Sequence, residues 1–151
     1  MIKIICVGKI KEKYLKDAID EYTKRLSKYT KLSIIEVNDY SSTDINNILK
    51  KEQDDILKYI DDKDYVIALD IDGVNIGSVD FAKKISGIFI SYSNIAFIIG
   101  GSYGLTDKIK ELSNYRMSFS KLTFPHQLFR VMLLEQIYRS YKINNNEEYH
   151  K

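Results

Sequence analysis

Two periodicities alternate along the chain. Predominantly apolar runs at Ile2–Val7, Leu32–Val37, Tyr65–Leu69, Ile95–Ile99 and Met117–Phe119 read as strands. Between them, apolar residues recur every three or four positions. Tyr14, Leu15, Ala18, Ile19, Tyr22 and Leu26 predict a helix over 12–26, and Ile45, Ile48, Leu49, Ile56 and Ile60 predict a second one behind the capping cluster Ser41-Ser42-Thr43-Asp44. Shorter helices are predicted over Ser78–Ile85 and Asp107–Leu112. The only proline, Pro125, opens the last helix, since a missing N–H costs nothing in a first turn, and Leu128, Val131, Leu134, Ile137, Tyr138 and Tyr141 form its apolar stripe. Strands alternating with helices, without hairpin turns, predict an α/β fold: a mostly parallel sheet with helices on both faces. Ligands of such sheets sit beyond the carboxyl ends of the strands, where Asp70, Gly100 and Ser120 fall.

Composition narrows the class. With 151 residues, 44% hydrophobic and 29% charged, the chain is expected to be a single domain over 1–151. The apolar run at the N-terminus is too short for a signal segment and no stretch reaches the ~18 apolar residues of a membrane span, so a cytoplasmic protein is expected, with no membrane partner. Cys6, in the middle of a strand, reads as a small buried hydrophobe, and two histidines with one cysteine give no metal set. The net charge of +2 hides an asymmetry: residues 1–31 sum to +5, 32–80 to −8 and 81–151 to +5. Basic ends are compatible with an RNA-facing surface and equally with ordinary solvated helix faces.

The candidate chemistry lies in two blocks. Ala96–Gly104, A-F-I-I-G-G-S-Y-G, is a strand that stops at paired glycines, whose backbone allows a ligand close approach. Ser120–Gln127, S-K-L-T-F-P-H-Q, is placed to return beside it at the same sheet edge, making one cofactor-sized pocket. A nicotinamide site fits poorly, because the glycines follow the fourth strand, lack the G-x-G-x-x-G spacing, and have Lys121 where an acid should hold the ribose. A phosphate-binding loop fails for want of G-K-[ST], and Asp70-Ile71-Asp72-Gly73 reads as a turn after a strand rather than a calcium loop.

Taken in order, L-D-I-D-G at Leu69–Gly73, F-I-I-G-G-S-Y-G at Phe97–Gly104, S-x-S-K-L-T-F-P-H-Q at Ser118–Gln127, R-V-M-L-L-E-Q-I-Y-R at Arg130–Arg139 and the terminal Tyr149-His150-Lys151 closely resemble the ribosomal RNA large subunit methyltransferase H family over the whole chain. That family belongs to the SPOUT methyltransferases. The resemblance implies a homodimer with a C-terminal trefoil knot, here over about 65–151, a topology that sequence patterning excludes by default. It implies S-adenosylmethionine as cofactor, and transfer of its methyl group to N3 of a pseudouridine in the intersubunit stem-loop of 23S rRNA on the assembled ribosome. Leu69, Gly100 and Phe119, Ser120, Lys121, Leu122, Thr123 and Phe124 look like the cofactor loops, together with Gly101 and Gly104. Tyr103 inside the glycine loop departs from the smaller or polar residue the family often has there.

Catalysis requires alignment of the methyl group with the attacking nitrogen and removal of that nitrogen's proton. His126 is the titratable group suited to the second task, or else a hydrogen-bonder at the helix terminus. Arg130, one turn on, is expected to point into the same region. The resemblance also assigns Tyr149 and His150 to the substrate side, where composition alone describes a frayed end. Three further expectations are that Phe129, Leu133, Tyr138 and Tyr141 form a surplus apolar face needing a second copy to cover it, that a valine at Gly101 crowds the cofactor without disturbing the fold, and that removing the tail spares cofactor binding. A nicotinamide-dependent oxidoreductase and a non-enzymatic ribosome assembly factor are the alternatives, separated by which ligand binds and by whether ribosome binding needs a cofactor pocket.

Overall fold

The computed structural model describes residues 1–151 as one five-stranded sheet with helices on both faces. In chain order the elements are β1 (Ile2–Val7), α1 (Lys13–Leu26), β2 (Leu32–Val37), α2 (Ile45–Leu57), β3 (Asp64–Asn75), α3 (Ser78–Ser91), β4 (Asn94–Ile99), α4 (Asp107–Leu112), β5 (Tyr115–Ser118) and α5 (His126–Asn144). The spatial order is β2-β1-β4-β3-β5, parallel throughout. Alternate strand residues feed two cores, as the twofold period of a strand requires. Ile2, Ile4, Cys6, Phe97 and Ile99 pack on Leu26 of α1, Phe81 and Ile85 of α3, and Leu133, Leu134 and Ile137 of α5. Ile5, Val7, Val37, Val66 and Ile98 pack on Ile56 of α2 and Ile109 of α4. Cys6 is fully buried, and burial pushes its thiol up to about 12, which makes it the inert small hydrophobe expected.

Four expectations need correction. Asp70–Gly73 is not a plain turn, since β3 continues to Asn75. Leu69 and Val74 both pair with Met117, so the intervening residues bulge out of the ladder and return to it. Helix α3 runs past Ile85 to Ser91 because Ile88 prolongs its buried face. Pro125 sits at the N-cap rather than in the first turn, and its carbonyl accepts from the Phe129 N–H at 2.9 Å. Most consequentially, the buried stripe of α5 is Arg130, Leu133, Leu134, Ile137 and Ser140, while Leu128 is exposed. Leu133 is wholly enclosed by its own chain, and Tyr138 and Tyr141 pack on Tyr29. They leave no surplus face, so the case for a second copy needs another basis.

Candidate active site

The parallel register brings the carboxyl ends of β1, β3, β4 and β5 to one edge, and the segments leaving β3, β4 and β5 enclose, with the start of α5, a cleft of about 160 Å³. Leu69, Gly100, Gly101, Gly104, Phe119, Ser120, Leu122, Thr123 and Phe124 line it, with Asp70, Ile71, Ile99, His126 and Phe129. Of the expected cofactor residues only Lys121 is outside the lining, on the exposed outer side of its loop.

The glycines do different work. A Cβ on Gly100 would lie 2.6 Å from the Gly104 carbonyl oxygen, so the loop closes on itself only with glycine there. The closure is sealed by the Gly104 N–H donating to the Gly101 carbonyl at 3.1 Å. Gly104 has φ +79°, which favours glycine, and a Cβ there would meet nothing within 4 Å. Gly101 instead faces inward. Its Cβ would lie 3.0 Å from Val7 Cγ1 and 3.3 Å from Glu52 Oε1, so a valine would strike the core before any ligand, contrary to the expectation that the fold would be spared. Tyr103, at the tip, is 53% exposed and does not fill the cleft.

On the opposite wall, Ser118 Oγ donates to the Ser120 carbonyl and the Leu122 N–H donates to Ser120 Oγ, both at 3.0 Å, folding the loop tightly before Leu122. Phe119 packs on Phe129 at 4.7 Å between ring centroids and ties this loop to α5. Leu122 is nonetheless 71% exposed. At the β3 bulge, Asp70 accepts from Arg116 Nε and Nη2 at 3.0 and 2.7 Å and lies 3.6 Å from Lys110. Burial alone would lift this carboxyl, but Arg116, the Asp72 N–H and Lys110 outweigh it and hold it below the usual carboxylate range. Two cations already satisfy it, which disposes of the calcium-loop reading, and no cluster of potential metal ligands occurs anywhere in the chain.

The four expected catalytic residues do not meet in one chain. His126 lines the cleft at the start of α5, with burial and the Arg130 cation lowering its pKa against the opposing pull of Asp39, so the ring is neutral near pH 7. Arg130 is 1% exposed and lies beneath the cleft rather than in it. Its Nη1 donates to Glu36 Oε2 at 2.8 Å, its Nη2 donates to the Gly8 carbonyl at 3.1 Å, and its Nε has no partner. Tyr149 and His150 fold back onto the middle of α5. The Tyr149 hydroxyl donates to Glu135 Oε1 at 3.1 Å, its ring packs edge-on against Tyr138, and His150 Nδ1 lies 3.1 Å from Arg139 Nη1. Glu135 is nine residues beyond His126, about 13 Å along the helix axis. A second cleft, about 370 Å³, separates the two places on the far side of Phe119, with Glu135 in its wall.

Glu52 escaped the sequence reading. It is 3% exposed, its carboxyl lies behind Gly101, and burial reinforced by the negative charge of Asp39 raises its pKa to about 7. The signal was there in the spacing, for Ile48, Glu52 and Ile56 fall on one face of α2.

Comparison with known proteins identifies the family. Residues 1–150 match the family model described as a predicted SPOUT methyltransferase. Proteins named ribosomal RNA large subunit methyltransferase H from Clostridium tetani and Clostridium botulinum are 56% and 57% identical over 157 aligned positions, covering 99% of this chain and of each relative. One named putative ribosomal RNA large subunit methyltransferase H, from Methanococcus maripaludis, is 55% identical with the same coverage. A solved probable methylase family protein from Haemophilus influenzae superposes with a TM-score of 0.56 at 15% identity, over 99% of this chain and 70% of that one, a likeness of fold alone. By these full-length matches, the chain belongs to the SPOUT methyltransferase family, in the large-subunit methyltransferase H group.

Proposed function

We propose that this protein is an S-adenosylmethionine-dependent methyltransferase acting on N3 of a pseudouridine in the intersubunit stem-loop of 23S rRNA, on the assembled ribosome. The observation that carries the reading is the convergence of Leu69, the Gly100–Gly104 loop and the Phe119–Phe124 segment on one cleft. The residues suit the cofactor: Gly104 presents an open cradle where a side chain would intrude, and Leu69, Leu122 and Phe124 offer an apolar wall around backbone N–H and C=O groups fit to read an adenine edge. When bound, S-adenosylmethionine supplies an electrophilic methyl group.

The chain's own task is alignment and proton removal. His126, neutral because it is buried beside Arg130, would accept the N3 proton and so free an electron pair on that nitrogen for the methyl group, whose departure would leave the cofactor's sulfonium a neutral thioether. Arg130 acts as a positioning residue, bracing Gly8 and Glu36 under the imidazole. Tyr149 and His150 serve the cleft of a second copy in a homodimer, since their own cleft is out of reach. Two features support the dimer. The single chain encloses only about 160 Å³, below the ~300 Å³ at which small-molecule sites begin, and Leu122 is left largely bare on the cleft wall. A trefoil knot over about 65–151 completes the proposal, in keeping with the tight passage of Gly73, whose Cβ would lie 2.8 Å from the backbone of Arg116 and Met117. The reading is tested by calorimetry of the purified protein with S-adenosylmethionine and by mass spectrometry of rRNA from a deletion strain. Cofactor binding and loss of one methyl group from the intersubunit stem-loop are expected; no binding, or an unchanged methylation pattern, would overturn it.

A further inference from the structure

Nothing in the chemistry above employs the side chains of Lys9–Tyr14, although their backbone is fastened to the rim of the cleft. The turn leaving β1 is fixed at three points. Gly8, at φ +85°, gives its carbonyl to buried Arg130; the Ile10 N–H donates to Glu36 Oε2 at 3.0 Å; and the Lys11 N–H donates to Gln127 Oε1 at 3.4 Å. Gln127 is the neighbour of His126, and a Cβ on Gly8 would lie 3.6 Å from His126 Nε2. This turn is therefore a lip of the cleft, and its side chains are directed outward. Lys9, Lys11 and Lys13 are exposed, and of these only Lys13 holds a carboxylate, Asp17 at 2.6 Å. Tyr14 leaves 69% of its surface uncovered in the first turn of α1. A solvated helix face accounts for the lysines alone. It does not account for a large bare ring beside unpaired cations on a segment anchored next to the neutral imidazole.

We infer that Lys9, Lys11 and Tyr14 form a strand-holding rim for single-stranded RNA, the two ammonium groups on successive backbone phosphates and the Tyr14 ring stacked on an unpaired base that flanks the target nucleotide. The inference rests on the rRNA-methyltransferase reading for the identity of the strand. The juxtaposition favours nucleic acid over an acidic protein because a phosphate chain supplies regular anions while its bases supply flat faces for the ring. Lys121, exposed on the opposite lip between Ser120 and Leu122, extends the same positive border.

The test compares Lys9→Ala/Lys11→Ala and Tyr14→Ala with wild type in methyl transfer to ribosomes from a deletion strain, over a range of KCl concentrations. A control pair, Lys31→Ala/Lys63→Ala, removes the same charge just ahead of β2 and β3, at the opposite end of the strands. Each rim variant is expected to raise KM about tenfold or more with kcat within about twofold, and the lysine pair to lower the slope of log affinity against log salt by about 1.4, or ~0.7 for each lost single-strand phosphate contact. The control is expected to match wild type, as is the cofactor affinity of every variant. Wild-type KM and salt slope in the lysine pair, or a fall in kcat alone, would overturn the inference. So would a photo-cross-linking residue at position 14 that labels ribosomal protein and never rRNA. Fluorescence anisotropy with a labelled uridine dodecamer separates the two readings: weakened RNA binding by the rim variants upholds the rim even where wild type transfers no methyl group, a result that would sink the methyltransferase reading alone.

Discussion

Replacing Gly100 by alanine is the sharpest perturbation of the cleft that leaves every charge in place. The new Cβ would lie 2.6 Å from the Gly104 carbonyl oxygen, 2.7 Å from its carbon and 3.1 Å from Leu105 Cδ2. Two of these three atoms are backbone, so no rotamer relieves the overlap. Restoring ordinary contact at 3.4 Å requires the Gly104 strand of the loop to retreat by about 0.8 Å. A retreat in that direction pulls on the 3.1 Å hydrogen bond from Gly104 to Gly101 and widens the loop where it meets the cleft. Overpacking of this kind costs ~1–3 kcal/mol in stability, and displacement of a positioning element by nearly 1 Å is worth ~100-fold in rate. Urea unfolding should therefore show a loss of ~1–3 kcal/mol, and calorimetry should show S-adenosylmethionine affinity reduced about tenfold or more. Gly101→Ala is the matched comparison. Its Cβ meets the side chains of Val7 and Glu52 at 3.0 and 3.3 Å, so a shift of a few tenths of an ångström suffices and cofactor affinity should stay near wild type. Wild-type stability and cofactor affinity in Gly100→Ala would refute the steric argument and the placement of the cofactor with it.

Removing Tyr149–Lys151 should cut methyl transfer to ribosomes by about tenfold to a hundredfold, the worth of one stacked base, with calorimetric S-adenosylmethionine affinity unchanged; normal transfer would reduce the tail to a helix cover. Glu52 is held above its unfolded value, so the native state binds the extra proton and stability falls as pH rises from about 4.5 to about 7. Glu52→Gln should then be more stable than wild type at pH 8 and equal to it near pH 4, as read by thermal melts; a constant difference at every pH would contradict the assignment. Asp70 carries the opposite sign. Its carboxyl is held below its ordinary 3.8, so its stabilising pair with Arg116 is present above that value and lost as pH falls through the folded pKa, and Asp70→Asn should flatten the acid limb of the stability curve.

The strands β1, β2 and β4 were legible to within a residue because each is a short, mostly apolar run without helical periodicity, and α1 and α2 because their apolar residues keep a helical period. The length of β3 was not, since Asp70-Ile71-Asp72-Gly73 has turn composition and rejoins the sheet only through pairing with Met117, a contact between segments far apart in sequence. That two loops share one cleft was legible from the paired glycines and from the Pro125 block. Arg130 was misjudged for a different reason. A guanidinium on the fourth residue after His126 reads as a neighbour in the cleft, and only the sheet order reveals that Glu36 and the Gly8 carbonyl wait below to bury it. The tail likewise kept its secret, because local composition gives no hint that Tyr149 and His150 grip Glu135 and Arg139 instead of fraying.

The most direct measurement of the central claim is transfer of a labelled methyl group from S-adenosylmethionine by the purified protein, with assembled ribosomes from a deletion strain as acceptor and mass spectrometry of the digested 23S rRNA as readout. One added methyl per ribosome, on N3 of a pseudouridine in the intersubunit stem-loop and transferred about 100-fold more slowly by Gly100→Ala, is the predicted result. No transfer, or a methyl group on any other nucleotide, would contradict it.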